Sequence, residues 1–233
     1  TVNGVRVGLL ALGYHNTPLT GDRENVRPLA FTSGIEAARR RLPGLRPHVD
    51  AVVVVSHQGA KVDRKLLEEV AGIDVVIGAH SHDLITPPER VGGGWLVQAL
   101  SDGAMLGEVT LHLRNDKVAE VTGSVHALWA DRFGDDPQMA ALVAAQRAPH
   151  RSELEAALAT AAERIGRQYK SESPFDKLVG RILRDATGAE IAFLPGVGYG
   201  VSLMPGRITR EALATLLPHP SKAATLSLTG LQV

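Results

Sequence analysis

Three histidines stand where a divalent cation could use them. Ser56-His57-Gln58-Gly59 follows the apolar run Ala51 to Val55, and Gly78-Ala79-His80-Ser81-His82-Asp83 closes a second short run that starts at Asp74. Neutral imidazole is a borderline ligand that zinc, manganese and cobalt accept readily. An extended His-x-His can put both rings on one side while Ser81 faces the other. A single loop histidine more often makes an ordinary hydrogen bond, but three of them at matched strand ends favour metal binding. Asp83, beside the His-x-His, is a candidate for the carboxylate that orients an imidazole, with a solvated loop aspartate as the plain alternative. His15, His48, His112, His126 and His150 fall in no convergent pattern.

The other candidates carry less chemistry. Pro195-Gly196-Val197-Gly198-Tyr199-Gly200 places glycines between a strand and a loop, where they usually serve turns needing positive φ. Its functional version is the rim of a substrate pocket, with the Gly196 and Gly198 backbone offered to an anion and Tyr199 to an organic group. Arg39-Arg40-Arg41 reads as a solvated helix face, since Glu36 lies within one turn. Ser56 lacks the G-x-S-x-G setting of a nucleophile elbow, and no Walker-type loop occurs. The sequence therefore designates no catalytic acid, base or nucleophile.

What must hold the histidines is an alternation of buried strands and amphipathic helices. Val5 to Leu12 and Ala51 to Val55 are too continuously apolar for one-sided strands. Between them Ser33 to Arg46 carries Ile35, Ala38, Leu42 and Leu45 at helical spacing. Asp63 is placed as the cap of a second helix whose Leu66, Leu67 and Val70 face inward and which Gly72 ends; Asp74 to Gly78 is the third strand. Ligands of open α/β sheets collect at the carboxyl ends of such strands. From Trp95 onward the alternating stretches predict antiparallel strands and a mixed sheet. Asp136-Pro137 starts an Ala-rich helix that resumes after Pro149 and runs through Glu163. A helix in FDKLVGRIL, a short strand in EIAFL, a Gly-rich turn and a final helix follow.

Composition excludes whole classes. With 44% hydrophobic residues a disordered chain is ruled out, and equal counts of basic and acidic residues, 25 each, leave no global field for a nucleic-acid polymer or an anionic membrane. Cysteine is absent, which removes disulfides and thiolate metal sites. No apolar run approaches the roughly 20 residues of a membrane span. The chain opens on Thr1 without a signal-peptide core.

Taken together, these segments resemble a known family. GVRVGLLAL, the SHQG after AVVVV, GIDVVIGAHSHD, and the later FDKLVGRIL, GAEIAFLPG, PGRIT and LTG are similar to the 5′-nucleotidase type of calcineurin-like metallophosphoesterase over nearly the whole chain. The resemblance implies an α/β fold: part of a four-layer sandwich carrying two divalent metal ions, manganese or zinc, and the start of a second α/β domain that binds substrate. It assigns residues 1–128 to the sandwich, 129–165 to a connecting helix and 166–233 to the second domain. It makes His57 and His80 ligands of one metal and His82 a ligand of the other. The substrate it implies is a small anionic ester, and the location periplasmic or extracellular, with a cytoplasmic one left open.

Departures from the family pattern shape the expectation further. The D-x-H, bridging aspartate and GNH-E/D motifs that complete the family's metal site do not occur, so the chain resembles an internal piece lacking an N-terminal portion. Ser171 stands about where the family has a recognition arginine, Phe193 to Gly198 replaces an N-x-GGIR loop, and His219 in LPHP replaces the aromatic that sandwiches the base. Some of this resembles the thiosulfohydrolases of bacterial sulfur oxidation. The expected function is metal-dependent hydrolysis of phosphate monoesters or a related sulfur-containing ester. A non-catalytic remnant that needs a partner chain is the alternative from another class.

Overall fold

The structure is a computed structural model that describes residues 1–168, 171–194, 201–218 and 222–233. The chain divides into two compact units, Thr1–Gly134 and Asp135–Val233. The first is built on a five-stranded sheet in the order β1 (Val7–Leu12), β2 (Ala51–Ser56), β3 (Val75–Ile77), β5 (Gly94–Ala99) and β4 (Leu84–Val91). The first four of these run parallel and β4 runs antiparallel along the edge, so the sheet is mixed. Strand β4 was not foreseen: its Thr86-Pro87-Pro88 reads as a breaker, and prolines are tolerated there because an edge strand leaves one side of its ladder unused. Residues 17–20 and 23–26 form two single-turn helices, α1 (Thr17–Thr20) and α2 (Arg23–Val26), after β1.

Helix α3 (Gly34–Leu45) follows from its spacing: Ser33 caps it by accepting from the Glu36 N–H, and Ile35, Ala38 and Leu42 are buried. Helix α4 (Ala60–Glu69) buries Leu66 and Leu67, with Val70 buried just beyond it. Asp63 is not its cap. The helix begins one turn earlier, after Gly59, and Asp63 is a fully buried member of its inner face. The two helices cover one side of the sheet, packing on Val52, Val54, Val76 and Leu96. The other side carries Val53, Val75 and Val97, which meet Val121 and Val109 of the hairpin β6 (Met105–Arg114) and β7 (Lys117–Ala127). At the amino end of the sheet Asp50 accepts from the Arg6 N–H at 2.8 Å and from its guanidinium at 2.6 Å, which pulls the carboxyl down to about 2.

The second unit begins as foreseen, with Asp136 capping α5 (Pro137–Arg147) by accepting from the Met139 N–H. The helix does not run through Glu163. After a 3₁₀ turn (Ala148–His150) and the short α6 (Arg151–Leu154), residues Ala157–Ala161 form strand β8, which pairs antiparallel with β9 (Gly206–Thr209). Ladder pairing overrides the helix preference of an Ala-rich stretch. Helix α7 (Pro174–Thr187) opens on a reciprocal capping box between Ser173 and Asp176 and ends on left-handed Gly188. Glu190 to Leu194 is not a strand, having no ladder partner among the described residues; Ala192 and Leu194 instead lie beside Gly180 of α7. Helix α8 (Arg210–Leu216) closes a small core of Phe175, Leu203 and Leu216. Among the described residues no helix is long and apolar enough to cross a membrane.

The sheet core makes a direct forecast. Leu96→Ala, at a side chain with 0% exposure, lowers stability by about 2–5 kcal/mol in urea unfolding, whereas Leu9→Ala, 68% exposed, costs less than about 1 kcal/mol. Equal losses would mean that the two faces of β1 to β5 are packed otherwise than described.

Candidate metal-binding site

Parallel register brings distant residues to one edge. Leu12 lies opposite Ser56 and Val55 opposite Ile77, so the loops after β1, β2 and β3 leave the sheet together. The His57 N–H donates to Leu12 O and the Gly78 N–H to Val97 O, both at 2.8 Å, which anchors the two histidine loops to neighbouring strands. The rings of His57 and His80 stand edge to face with centroids 5.1 Å apart. Tyr14, from the loop after β1, lies over His80 with centroids 4.0 Å apart, and His15 sits beside Tyr14 at 5.8 Å. The pattern of histidines in the sequence excluded His15 and gave no role to Tyr14. Both follow the end of β1 by two and three residues, but the path of that loop back to His80 is set by the tertiary structure.

The loop carrying His80 and His82 is held in an unusual conformation. His80 has φ +77° and His82 φ +55°, left-handed backbone that side-chain-bearing residues seldom adopt, and such strain concentrates at functional sites. Gly59, at φ +92°, lets α4 start directly against this loop: a Cβ there would meet the His80 ring at 3.6 Å. The Ser81 hydroxyl accepts from the Ala60 N–H at 3.0 Å. The buried Gln98 amide, with its nitrogen toward Ser81 Oγ at 3.2 Å, takes the His82 and Asp83 N–H groups on its oxygen at 3.0 Å each. Asp83 is half-buried, and its carboxylate is close enough to raise the proton affinity of the Arg64 guanidinium, which pairs chiefly with Glu89. The substrate candidates Gly196, Gly198, Tyr199 and His219 lie outside the described residues.

Electrostatics keep His80 a base. Partial burial lowers its pKa from 6.5, and positive charge on His57 and His82 would lower it further. A neutral imidazole is the form that binds a metal. The donor chemistry thus suits a borderline divalent cation. Among the described residues, however, no group of three or more His, Cys, Asp or Glu is gathered closely enough to hold an ion. The histidines are at most part of a donor set.

Arg39 behaves as its surface position suggests, pairing with Glu69 at 2.5 Å. The described basic residues of the Arg39-Arg40-Arg41 run belong to a helix face, not to this edge.

Residues 152–233 match the 5′-nucleotidase C-terminal domain. The chain is 26% identical to an uncharacterized metallophosphoesterase, YunD, of Bacillus subtilis over 204 residues, 85% of this chain and 43% of that protein. Its structure superposes on the sulfate thiohydrolase SoxB of Thermus thermophilus with a TM-score of 0.81 at 27% identity, covering 92% of this chain and 40% of SoxB. A 5′-nucleotidase precursor of the same genus shares the fold at a TM-score of 0.64 and 22% identity, over 81% of this chain and 42% of that one. The chain therefore spans about two fifths of the length of these relatives.

In the metal-free chain the His80 ring titrates below 6.5 in NMR spectra, and Tyr14→Ala, by opening its cover to water, moves the midpoint back toward 6.5. Because the folded value is the lower one, this histidine favours unfolding as pH falls below 6.5, and stability declines there. An unchanged midpoint in the Tyr14 variant would remove the ring from the site.

Proposed function

We propose that this chain, which carries the fold and sequence likeness of the 5′-nucleotidase-type metallophosphoesterases, supplies histidine ligands and a substrate-binding portion to a metal-dependent ester hydrolase. The observation that carries this reading is the delivery of His57 and His80, with rings 5.1 Å apart, to the carboxyl edge of adjacent parallel strands. His57 and His80 serve one of two divalent ions, manganese or zinc, and His82 the other; Asp83 orients an imidazole. The remaining ligands come from residues outside this group, in the same polypeptide or a partner. Divalent cations supply Lewis acidity toward an anionic ester centre and activate water near neutral pH. The chain's own residues hold neutral nitrogen donors in place, and Gly196, Gly198, Tyr199 and His219 form the rim that receives the ester. The enzyme works in the periplasm or at the cell surface.

Two substrate classes compete. Phosphate monoesters are supported by the match of residues 152–233 to the 5′-nucleotidase C-terminal domain. A sulfur-containing ester is favoured by the higher TM-score with SoxB, 0.81 against 0.64 for the nucleotidase precursor. A third reading, a non-catalytic remnant, draws on the lack of a complete ligand group among the described residues.

The deciding assay loads the full-length protein, with whatever portion supplies the remaining ligands, with Mn²⁺ or Zn²⁺ and compares nucleoside monophosphates, bis(p-nitrophenyl) phosphate and a cysteine S-thiosulfonate. Hydrolysis of the thiosulfonate at least about tenfold faster than of nucleotides is expected, because a lost stacking partner costs about 1–3 kcal/mol. His80→Ala brings turnover to background; full retention refutes the ligand assignment. No turnover of any ester by the metal-loaded protein supports the remnant reading.

A further inference from the structure

Directly beneath the two histidine loops lies a buried polar cluster that the reading above leaves without a task. Asp63 has 0% exposure, Ser56 and Gln58 2% each. The Ser56 hydroxyl donates to Asp63 Oδ1 at 2.5 Å, and the Gln58 backbone and side-chain N–H groups approach Ser56 Oγ at 3.3 Å. The second carboxylate oxygen, Oδ2, has no hydrogen-bond partner among the described residues, nor does Gln58 Oε1. Oδ2 is aimed at the end of β3: a Cβ on Gly78 would sit 2.8 Å from it, with the Gln98 amide nitrogen, in the orientation given above, 3.4 Å from that Cβ. Gln58 is pressed in turn against the start of α3, where a Cβ on Gly34 would collide with its amide. One carboxyl thus touches the strand end leading into His57 and abuts the strand end leading into His80.

We propose that Asp63 is a positioning residue: through Ser56 and Gln58 it clamps the end of β2, and against Gly78 it backs the end of β3, so that it sets the spacing of the His57 and His80 rings. The proposal rests on the reading of those histidines as metal ligands. Burial pushes the Asp63 carboxyl up, toward the neutral acid. An asparagine keeps the side-chain oxygen that accepts from Ser56 and the same volume against Gly78.

The test uses the whole chain and two readouts that a merely structural role would not move in a folded protein. The first is the contact between the His57 and His80 ring protons in metal-free NMR spectra. The second is the apparent Zn²⁺ affinity followed at the same ring signals. Asp63→Ala and Ser56→Ala lose the ring contact and bind Zn²⁺ about tenfold or more weakly, while Asp63→Asn stays within about threefold of the parent. A folded Asp63→Ala chain that keeps both the ring contact and the parent affinity overturns the proposal. Should Asp63→Ala fail to fold, by melting and near-ultraviolet circular dichroism, Ser56→Ala decides alone, and parent behaviour there overturns it equally. Absence of any Zn²⁺ response at His57 and His80 in the parent chain refutes the ligand reading instead, and the ring contact still decides whether Asp63 sets their spacing.

Discussion

The parallel ladder joining β1, β2 and β3 is the constraint on which the rest of the first unit depends. It sets Leu12 against Ser56 and Val55 against Ile77, so that residues far apart in the chain leave the sheet at one edge. Its register is strongly specified. A slip of one residue would exchange Val52 and Val54, buried under the helices, with Val53 and Val55 on the opposite face. Each fully buried valine or leucine contributes about 1.5–3 kcal/mol relative to exposure, so a slipped register forfeits much of the core. The delivery of the His57 and His80 loops to one edge is inherited from this apolar packing.

The two faces of the sheet treat that edge differently. The helical side stays buried to the end of β2, with Ser56 and Asp63 at 2% and 0% exposure. On the other side the hairpin covers Val53, Val75 and Val97, and its cover stops before Val55 and Ile77, which are 49% and 40% exposed. The imidazoles rise where one side is sealed and the other open. A metal ligand needs that compromise: enough burial to keep an imidazole neutral, enough access for an ion and a substrate to arrive.

Much of the first unit was legible because its signals are local. The Ser33 cap, the Ile35-Ala38-Leu42 stripe and the two valine runs each state their element within a dozen residues. What the sequence concealed depends on partners. Strand β4 exists because β5 offers it a ladder, and β8 because β9 does, and neither Thr86-Pro87-Pro88 nor Ala157–Ala161 announces a strand alone. The site shows the same division. His57 and His80 were readable from their strand ends, whereas Tyr14 and His15 reach the edge through a loop whose path no periodicity reports. Asp63 reads as a cap in the sequence because an Asp three residues before an apolar pair fits that role, whereas in the structure the helix starts at the buried Ala60.

Asp63 is a residue that core packing alone does not explain. One turn on, the same helix face carries Leu66 and Leu67, and an apolar residue at 63 would continue the stripe. A buried oxygen left without a partner costs about 1–3 kcal/mol, and replacing buried polar clusters by well-packed apolar groups is often neutral or stabilising. Stability of the helix–sheet interface therefore gives no reason for a carboxyl at this position. Its neighbours lie at the candidate site: Ser56 precedes one histidine loop and Gly78 opens the other, in which His80 and His82 hold left-handed φ values. A polar cluster placed beneath both histidine loops, where an apolar stripe would pack, is the arrangement expected where geometry at the strand ends matters more than the last increment of stability.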